Sequence, residues 1–244
     1  MNQTMQEQST VKAHDHPEYS PGLEGVIAGE SAICQVDEGE AGLRYRGYAI
    51  GDLAGRSSFE EVAYLLLFGH LPATTESEEF SRLLVRNRRL PQQVHHFVES
   101  LTPDMHPMDV LRTGISLLGL HDPDAQDGSR EANLRKSVRL LAQIPHLVAD
   151  SYQIMADRQP ATPVSHGSFA ENLLSLVAGR RYGEIGAAMA EALNVSLILY
   201  AEHEFNASTF AARVTASTLT DLHGAITAAV ATLKGPLHGG ANEA

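Results

Sequence analysis

Two segments of the chain bring together side chains able to do chemistry. The first is Glu202-His203-Glu204-Phe205-Asn206, a cluster of titratable and amide groups at the end of an apolar run. Its spacing fails the helical zinc motif His-Glu-x-x-His, which needs a second histidine at position 207, where the chain has Ala207. Two readings stay open: donors that hold a polar substrate, or a histidine capping the last carbonyls of the helix before it. The second segment is Lys234-Gly235-Pro236-Leu237-His238-Gly239-Gly240, a histidine in a Gly/Pro-rich turn ahead of a helix start. Gly235, Gly239 and Gly240 let the backbone approach a ligand closely, and a helix start offers unpaired N–H groups. A neutral imidazole there can donate a hydrogen bond to a carbonyl oxygen as charge develops on it, as enolisation requires. A plain helix–loop–helix turn with an incidental histidine accounts for the same residues.

The other ionisable groups offer less. The chain has 12 histidines, so one alone carries little meaning. His14 and His16 lie in a polar N-terminal stretch, His95 and His96 read as surface residues near a helix start, and His70, His121, His146, His166 and His223 have no catalytic context in the sequence. Asp109 and Asp221 read as helix-start residues. The lone Cys34 leaves no intramolecular disulfide framework, multi-cysteine zinc site or iron–sulfur cluster, and no metal site is expected.

The elements that must position these groups are mostly helices. Residues 1–20 read as a flexible polar tail, and residues 21–244 as one large helical domain. Residues 23–48 mix β-branched residues with glycine around the turn-like stretch 37–42, which predicts a small β-hairpin. Ser58-Phe-Glu-Glu61 is a capping box ahead of an apolar run that stops at Gly69, and Ser168-Phe-Ala-Glu171 repeats the pattern ahead of Gly179. Thr75-Glu-Ser-Glu78 opens a helix ending in the basic stretch 86–89, and Pro91 and Pro107 suit first helical positions. Residues 122–130 read as a polar loop. A long helix follows to about residue 156, with Pro145 expected to kink or split it. Residues 184–200 are apolar on every face and predict a helix buried all round. The Ala/Thr/Ser-rich stretch 207–232 favours close helix–helix approach. About nine or ten helices and one hairpin make this an all-α protein. Ala241-Asn-Glu-Ala244 reads as the first turn of a further helix, so the chain is expected to be incomplete.

Apolar residues make up 43% of the 244 and charged residues 20%, ordinary values for a globular chain. With 18 Lys and Arg against 30 Asp and Glu, the formal charge of −12 argues against a non-specific nucleic-acid binder. No apolar run reaches the roughly 18–20 residues of a membrane-spanning helix, and no leader pattern is visible, so the expected location is the cytoplasm.

At the two histidine segments the chain resembles a known family. Tyr200-Ala-Glu-His-Glu-Phe-Asn-Ala-Ser-Thr209, with His238 in Gly-Pro-Leu-His-Gly-Gly-Ala-Asn-Glu-Ala 35 residues after His203, is similar to citrate synthase. Residues 22–33, Arg44-Tyr-Arg-Gly-Tyr48 and His106-Pro-Met-Asp-Val-Leu-Arg-Thr113 also resemble the shorter bacterial and archaeal-type citrate synthases and the related 2-methylcitrate synthases. The resemblance implies a nearly all-helical homodimer that condenses acetyl-CoA with oxaloacetate and water to give citrate and CoA. Acetyl-CoA is then a substrate and no cofactor is required. By position, His238 matches the histidine that stabilises the enol of acetyl-CoA, His203 matches one that holds oxaloacetate, and Asn206 lies in the same substrate segment. The family's catalytic aspartate, its third active-site histidine and its substrate arginines fall beyond position 244, so this chain alone is expected to be inactive. Two alternatives remain: a 2-methylcitrate synthase acting on propionyl-CoA, and, in another class, a non-catalytic helical dimerisation module.

Overall fold

The capping residues set where the helices begin and end. Ser58 Oγ accepts the Glu61 amide while the Glu61 carboxylate accepts the Ser58 amide at 2.8 Å. Helix α2 (Phe59–Phe68) therefore starts where the box predicts, and it stops at Gly69, whose φ of 95° is cheap only for glycine. Ser168, whose Oγ accepts the Glu171 amide at 3.1 Å, and Gly179, with a left-handed φ of 63°, bound α7 (Phe169–Ala178). The structure is a computed structural model and describes residues 25, 27–36, 42–162, 166–181 and 183–242. The tail 1–20 and most of the turn 37–42 lie outside the described residues.

Among the described residues the architecture is ten α-helices and one small antiparallel sheet, in line with the all-α expectation. Strands β1 (Cys34–Val36) and β2 (Leu43–Tyr45) pair with Cys34 opposite Tyr45, and a third strand, β3 (Tyr48–Ala49), pairs with β2. The sheet leads into α1 (Ile50–Arg56) and α2. Then follow α3 (Thr74–Asn87), α4 (Gln92–Glu99), α5 (Pro107–Leu120), α6 (Arg130–Met155), α7, α8 (Ala187–Leu199), α9 (Ala207–Ser217) and α10 (Leu222–Leu233). Pro107 occupies the first helical position of α5, whereas Pro91 is the N-cap of α4.

The core has three apolar clusters. Val94, Val98, Val110, Ile115, Leu118, Leu140 and Leu147 join α4, α5 and α6. Ala63, Phe80, Leu84, Val138 and Ala142 join α2, α3 and α6. Cys34, Tyr45, Leu53, Val62, Leu65 and Ile198 join the sheet to α1, α2 and α8. Helix α6 runs through two of the clusters. At 26 residues it is about 39 Å long.

Two sequence expectations are corrected here. Pro145 does not split α6, because α3, α4, α5 and α7 all pack along that helix and hold it through the lost hydrogen bond. Helix α8 is not buried all round. Within this chain α1, α2 and α7 cover one face, burying Asn194 and Ile198, while Met189, Leu199 and Tyr200 stay exposed. Its alanine content makes every face look apolar without giving every face a partner.

The polar loop 122–130 is pinned to α6. Arg139 donates to Asp122 at 2.6 and 2.8 Å and to Asp124 at 2.6 Å, and Arg135 donates to Asp124 at 2.7 and 3.0 Å. These two guanidinium groups hold the Asp124 carboxyl well below the usual carboxylate range. His223 is buried against the same loop and against α5, where Gly119 lets the two helices close: a Cβ there would lie 2.9 Å from the His223 Cβ.

Candidate active site

Helices α9 and α10 pack together as a helical hairpin across the short turn 218–221. Their similar lengths, about 17–18 Å, bring the start of α9 beside the end of α10. Ser208 on one side thereby meets His238 on the other. His238 Nε2 lies 2.8 Å from Ser208 Oγ, in a half-buried contact. When the serine hydroxyl donates to Nε2, the proton of the neutral ring resides on Nδ1, which can then donate to a ligand. Ser208 carries no chemical signal of its own in the sequence. Its position, two residues after Asn206 and in the first turn of α9, was a weak signal that only the folded hairpin makes specific.

The turn carrying His238 is fixed by its backbone. The His238 amide donates to the Gly235 carbonyl at 2.9 Å and the Gly240 amide to the same oxygen at 3.2 Å; a 3₁₀ turn (Gly239–Asn242) follows. The glycines have a structural role in the turn itself. A Cβ on Gly239 would lie 2.6 Å from the Leu233 carbonyl oxygen, and one on Gly240 would lie 2.6 Å from that of Lys234. The absence of a side chain at both lets the turn fold back on the end of its own helix. Lys234 fastens the turn to the start of α5 by donating to Asp109 Oδ2 at 2.6 Å. That ammonium, with Arg112 nearby, holds the Asp109 carboxyl below its ordinary range. Asp109 is an ion-pair partner in the first turn of α5, and Asp221 is the N-cap of α10, accepting the Gly224 amide at 3.0 Å.

Asn206 is the N-cap of α9: its Oδ1 accepts the Thr209 amide at 2.9 Å. The cap employs the carbonyl oxygen, so the amide nitrogen of the same side chain supplies two donors for a separate partner. His203 is exposed. It does not cap α8. The carbonyls at that helix end converge instead on the hydroxyl of Tyr45, 3.0 Å from the Ile198 oxygen and 3.2 Å from that of Leu199. Between the histidine and the cap, Glu204 has a left-handed φ of 66°, and the Phe205 ring lies under the Arg213 guanidinium at 4.7 Å. Among the described contacts none joins His203 directly to His238; the link between them is the continuous segment 203–208 entering α9.

Other described histidines have separate partners, although His106 lies at the α5 start that Lys234 engages. His106 caps α5 through the Met108 amide, His70 reaches Glu76 at 3.3 Å, and His146 is buried on α6 beside a cavity of about 350 Å³ between α3, α6 and α7. Among the described residues no group of three or more His, Cys, Asp or Glu side chains is placed to hold a metal ion, and no helix is long and apolar enough to cross a membrane.

Comparison with known proteins shows the family. A family model described as citrate synthase, C-terminal domain, matches residues 22–244. Citrate synthase 2 of Bacillus subtilis is 45% identical over 223 residues, covering 91% of this chain and 59% of the relative. A 2-methylcitrate synthase of Mycobacterium tuberculosis is 43% identical over 231 residues, covering 94% of this chain and 57% of the relative. Among solved structures, the citrate synthase of Pyrobaculum aerophilum superposes with a TM-score of 0.87 at 36% identity, covering 99% of this chain and 62% of that one. The citrate synthase of Thermoplasma acidophilum, solved as a ternary complex with carboxymethyl coenzyme A and oxaloacetate, gives 0.86 at 29% identity, covering 93% and 58%. The chain thus spans about three-fifths of the length of these relatives, and over that span it belongs to the citrate synthase family.

Proposed function

We propose that the protein to which this chain belongs condenses acetyl-CoA with oxaloacetate and water, releasing citrate and CoA. The observation that carries the reading is the Ser208–His238 pair at 2.8 Å, set at the helix-hairpin end that also bears Asn206 and the His203 segment. A thioester methyl is a weak carbon acid, so its proton leaves only if the oxygen of the developing enolate is stabilised. His238 does this by donating a hydrogen bond to the thioester oxygen, while a carboxylate outside this chain takes the proton. The enol carbon then attacks the ketone of oxaloacetate, which His203 and the amide of Asn206 hold and polarise. Water cleaves the resulting thioester to citrate and CoA.

Relatives of nearly equal identity are called citrate synthase and 2-methylcitrate synthase, so propionyl-CoA is the competing acyl donor. One methylene is worth only about 1–3 kcal/mol of discrimination. The deciding experiment compares kcat/KM for the two thioesters on the whole enzyme. A ratio favouring acetyl-CoA supports the reading, and one favouring propionyl-CoA replaces it with the methyl homologue. Absence of turnover with either, alongside normal folding, supports the non-catalytic module.

A homodimer is part of the same proposal. The stretch 207–232 is one candidate contact: α9 there buries none of its residues and exposes Phe210 and Val214, and Leu219 in the following turn is exposed. A second apolar face, with Val148 and Tyr152 exposed, lies along α5 and α6. Light scattering of the parent, Val214→Glu and Tyr152→Glu shows which face pairs, and a monomeric parent at micromolar concentration refutes the dimer.

A further inference from the structure

The three-stranded sheet is too small to be a domain, yet it reaches across the chain to the histidine segment from two sides. Tyr45 at the end of β2 is fully buried, 0% exposed, among Leu53, Val62, Leu65 and Ile198. Its hydroxyl lies 2.8 Å from the Glu202 carbonyl oxygen and accepts the Glu202 amide at 3.2 Å. A phenol can donate once and accept as well, so one hydroxyl grips both backbone polar groups of the residue just before His203. On the other side, the Val36 amide at the end of β1 donates to Glu204 Oε1 at 2.8 Å, and the Glu204 amide donates to Glu202 Oε1 at 2.7 Å. The residues before and after His203 are both tied to neighbouring strands, and the left-handed φ of Glu204 persists because these tethers over-determine it.

We infer that Tyr45, supported by the Val36–Glu204 tether, is a positioning residue that aims His203 at oxaloacetate. The inference rests on the reading of His203 as an oxaloacetate ligand. Its physical logic is that His203 is exposed, with no side-chain hydrogen bond among the described contacts to fix it. Its orientation is therefore inherited from the backbone on either side. An exposed loop free to move would bind a small dicarboxylate only after losing conformational entropy; a pre-set loop has already lost it. Burial pushes the Tyr45 hydroxyl up to about 12, so it stays a proton donor throughout the working pH range.

The test is calorimetric titration of the whole enzyme with oxaloacetate. Tyr45→Phe keeps the ring in the core and removes the hydroxyl, and with it the grip on Glu202 and the contacts with the Ile198 and Leu199 carbonyls. We expect binding about tenfold weaker, the scale of one lost buried hydrogen bond, and an unchanged KM for the thioester at saturating oxaloacetate. In a His203→Ala background the same substitution should cost nothing further, because its effect passes through the imidazole. Glu204→Ala, at the second tether and outside the core, should weaken oxaloacetate binding in the same direction, and Glu204→Gln, which keeps an acceptor for the Val36 amide, should restore it. Tyr45→Phe and Glu204→Ala that bind like the parent, or a Tyr45→Phe loss that persists undiminished beside His203→Ala, would overturn the inference. The ligand reading fails differently: His203→Ala then binds oxaloacetate as tightly as the parent, and both claims fall.

Discussion

Removing the Ser208 hydroxyl is the sharpest perturbation of the proposed active site, because a single atom separates two accounts of His238. In Ser208→Ala the ring loses its partner at 2.8 Å. The imidazole remains and can still donate to the thioester oxygen, but nothing fixes which nitrogen carries the proton or how the ring is turned. A half-buried neutral hydrogen bond contributes about 0.5–1.5 kcal/mol. If that loss falls on the transition state, kcat drops about two- to twelvefold, since about 1.4 kcal/mol is a factor of ten. Deleting the whole donor in His238→Ala should cost about 10²–10³, the scale of one oxyanion donor. The assay is steady-state kcat of the whole enzyme at saturating substrates, with melting temperature measured alongside. Ser208→Thr, which keeps the hydroxyl, should recover most of the rate. A Ser208→Ala enzyme as slow as His238→Ala would mean that the hydroxyl itself touches the reacting atoms. One as fast as the parent would mean that the serine orients nothing. Either result refutes the reasoning.

Three further outcomes are expected. His203→Ala should weaken oxaloacetate binding by about 1–3 kcal/mol, whereas His238→Ala leaves it nearly unchanged; equal effects in calorimetry would mean the two histidines do not divide the work this way. Gly240→Ala should destabilise by about 1–3 kcal/mol, because the new Cβ meets a backbone oxygen at 2.6 Å that cannot swing aside, and an unchanged melting temperature would count against the described turn. On α6, burial pushes His146 down to about 4, so stability is lost as pH falls from the unfolded value near 6.5 toward 4. One turn on, burial pushes Asp150 up to about 6, so its contribution runs the other way and is lost as pH rises from about 4 through 6. Asp150→Asn should then raise stability at pH 7 by about 2–3 kcal/mol and steepen the decline between pH 6.5 and 4, read as melting temperature against pH; a slope matching the parent's would contradict it.

What the sequence made legible was local. Ser58 with Glu61, Ser168, Gly69 and Gly179 each act within four residues of themselves, so their types alone placed the ends of α2 and α7. The pairing of Cys34 with Tyr45 needed only a short turn and was legible as a hairpin, while the two-residue β3 is too short for any alternation pattern to register. The candidate site was legible as residue types, through His203, Asn206 and His238, but not as geometry. Ser208 meets His238 across 30 residues and Tyr45 meets Glu202 across 157, and nothing in either residue's surroundings announces the partner. Pro145 and α8 misled for a related reason. A proline's local cost and an alanine-rich helix's even hydrophobicity are properties of the segment, whereas continuity and burial are decided by the neighbours that pack on it.

The two histidines are held by different parts of the fold, and the first turn of α9 joins them. The sheet sets the segment before Asn206; the α9–α10 hairpin sets His238. Asn206 begins α9 by accepting the Thr209 amide, and Ser208, two residues on, meets the imidazole. On the proposed reading, the first turn of α9 sets Asn206 relative to His238, while His203 is set by the tethered loop before the cap. Condensation between two bound substrates gains most from such rigidity, since the new carbon–carbon bond forms only from a near-attack distance of about 3–3.5 Å and a displacement of about 1 Å can cost a hundredfold. On this argument the cap matters to catalysis as well as to α9. Under the proposed function, Asn206→Ala should fray the turn that sets Asn206 and Ser208 relative to His238, and so lower kcat beyond what the loss of a contact with oxaloacetate alone would cost.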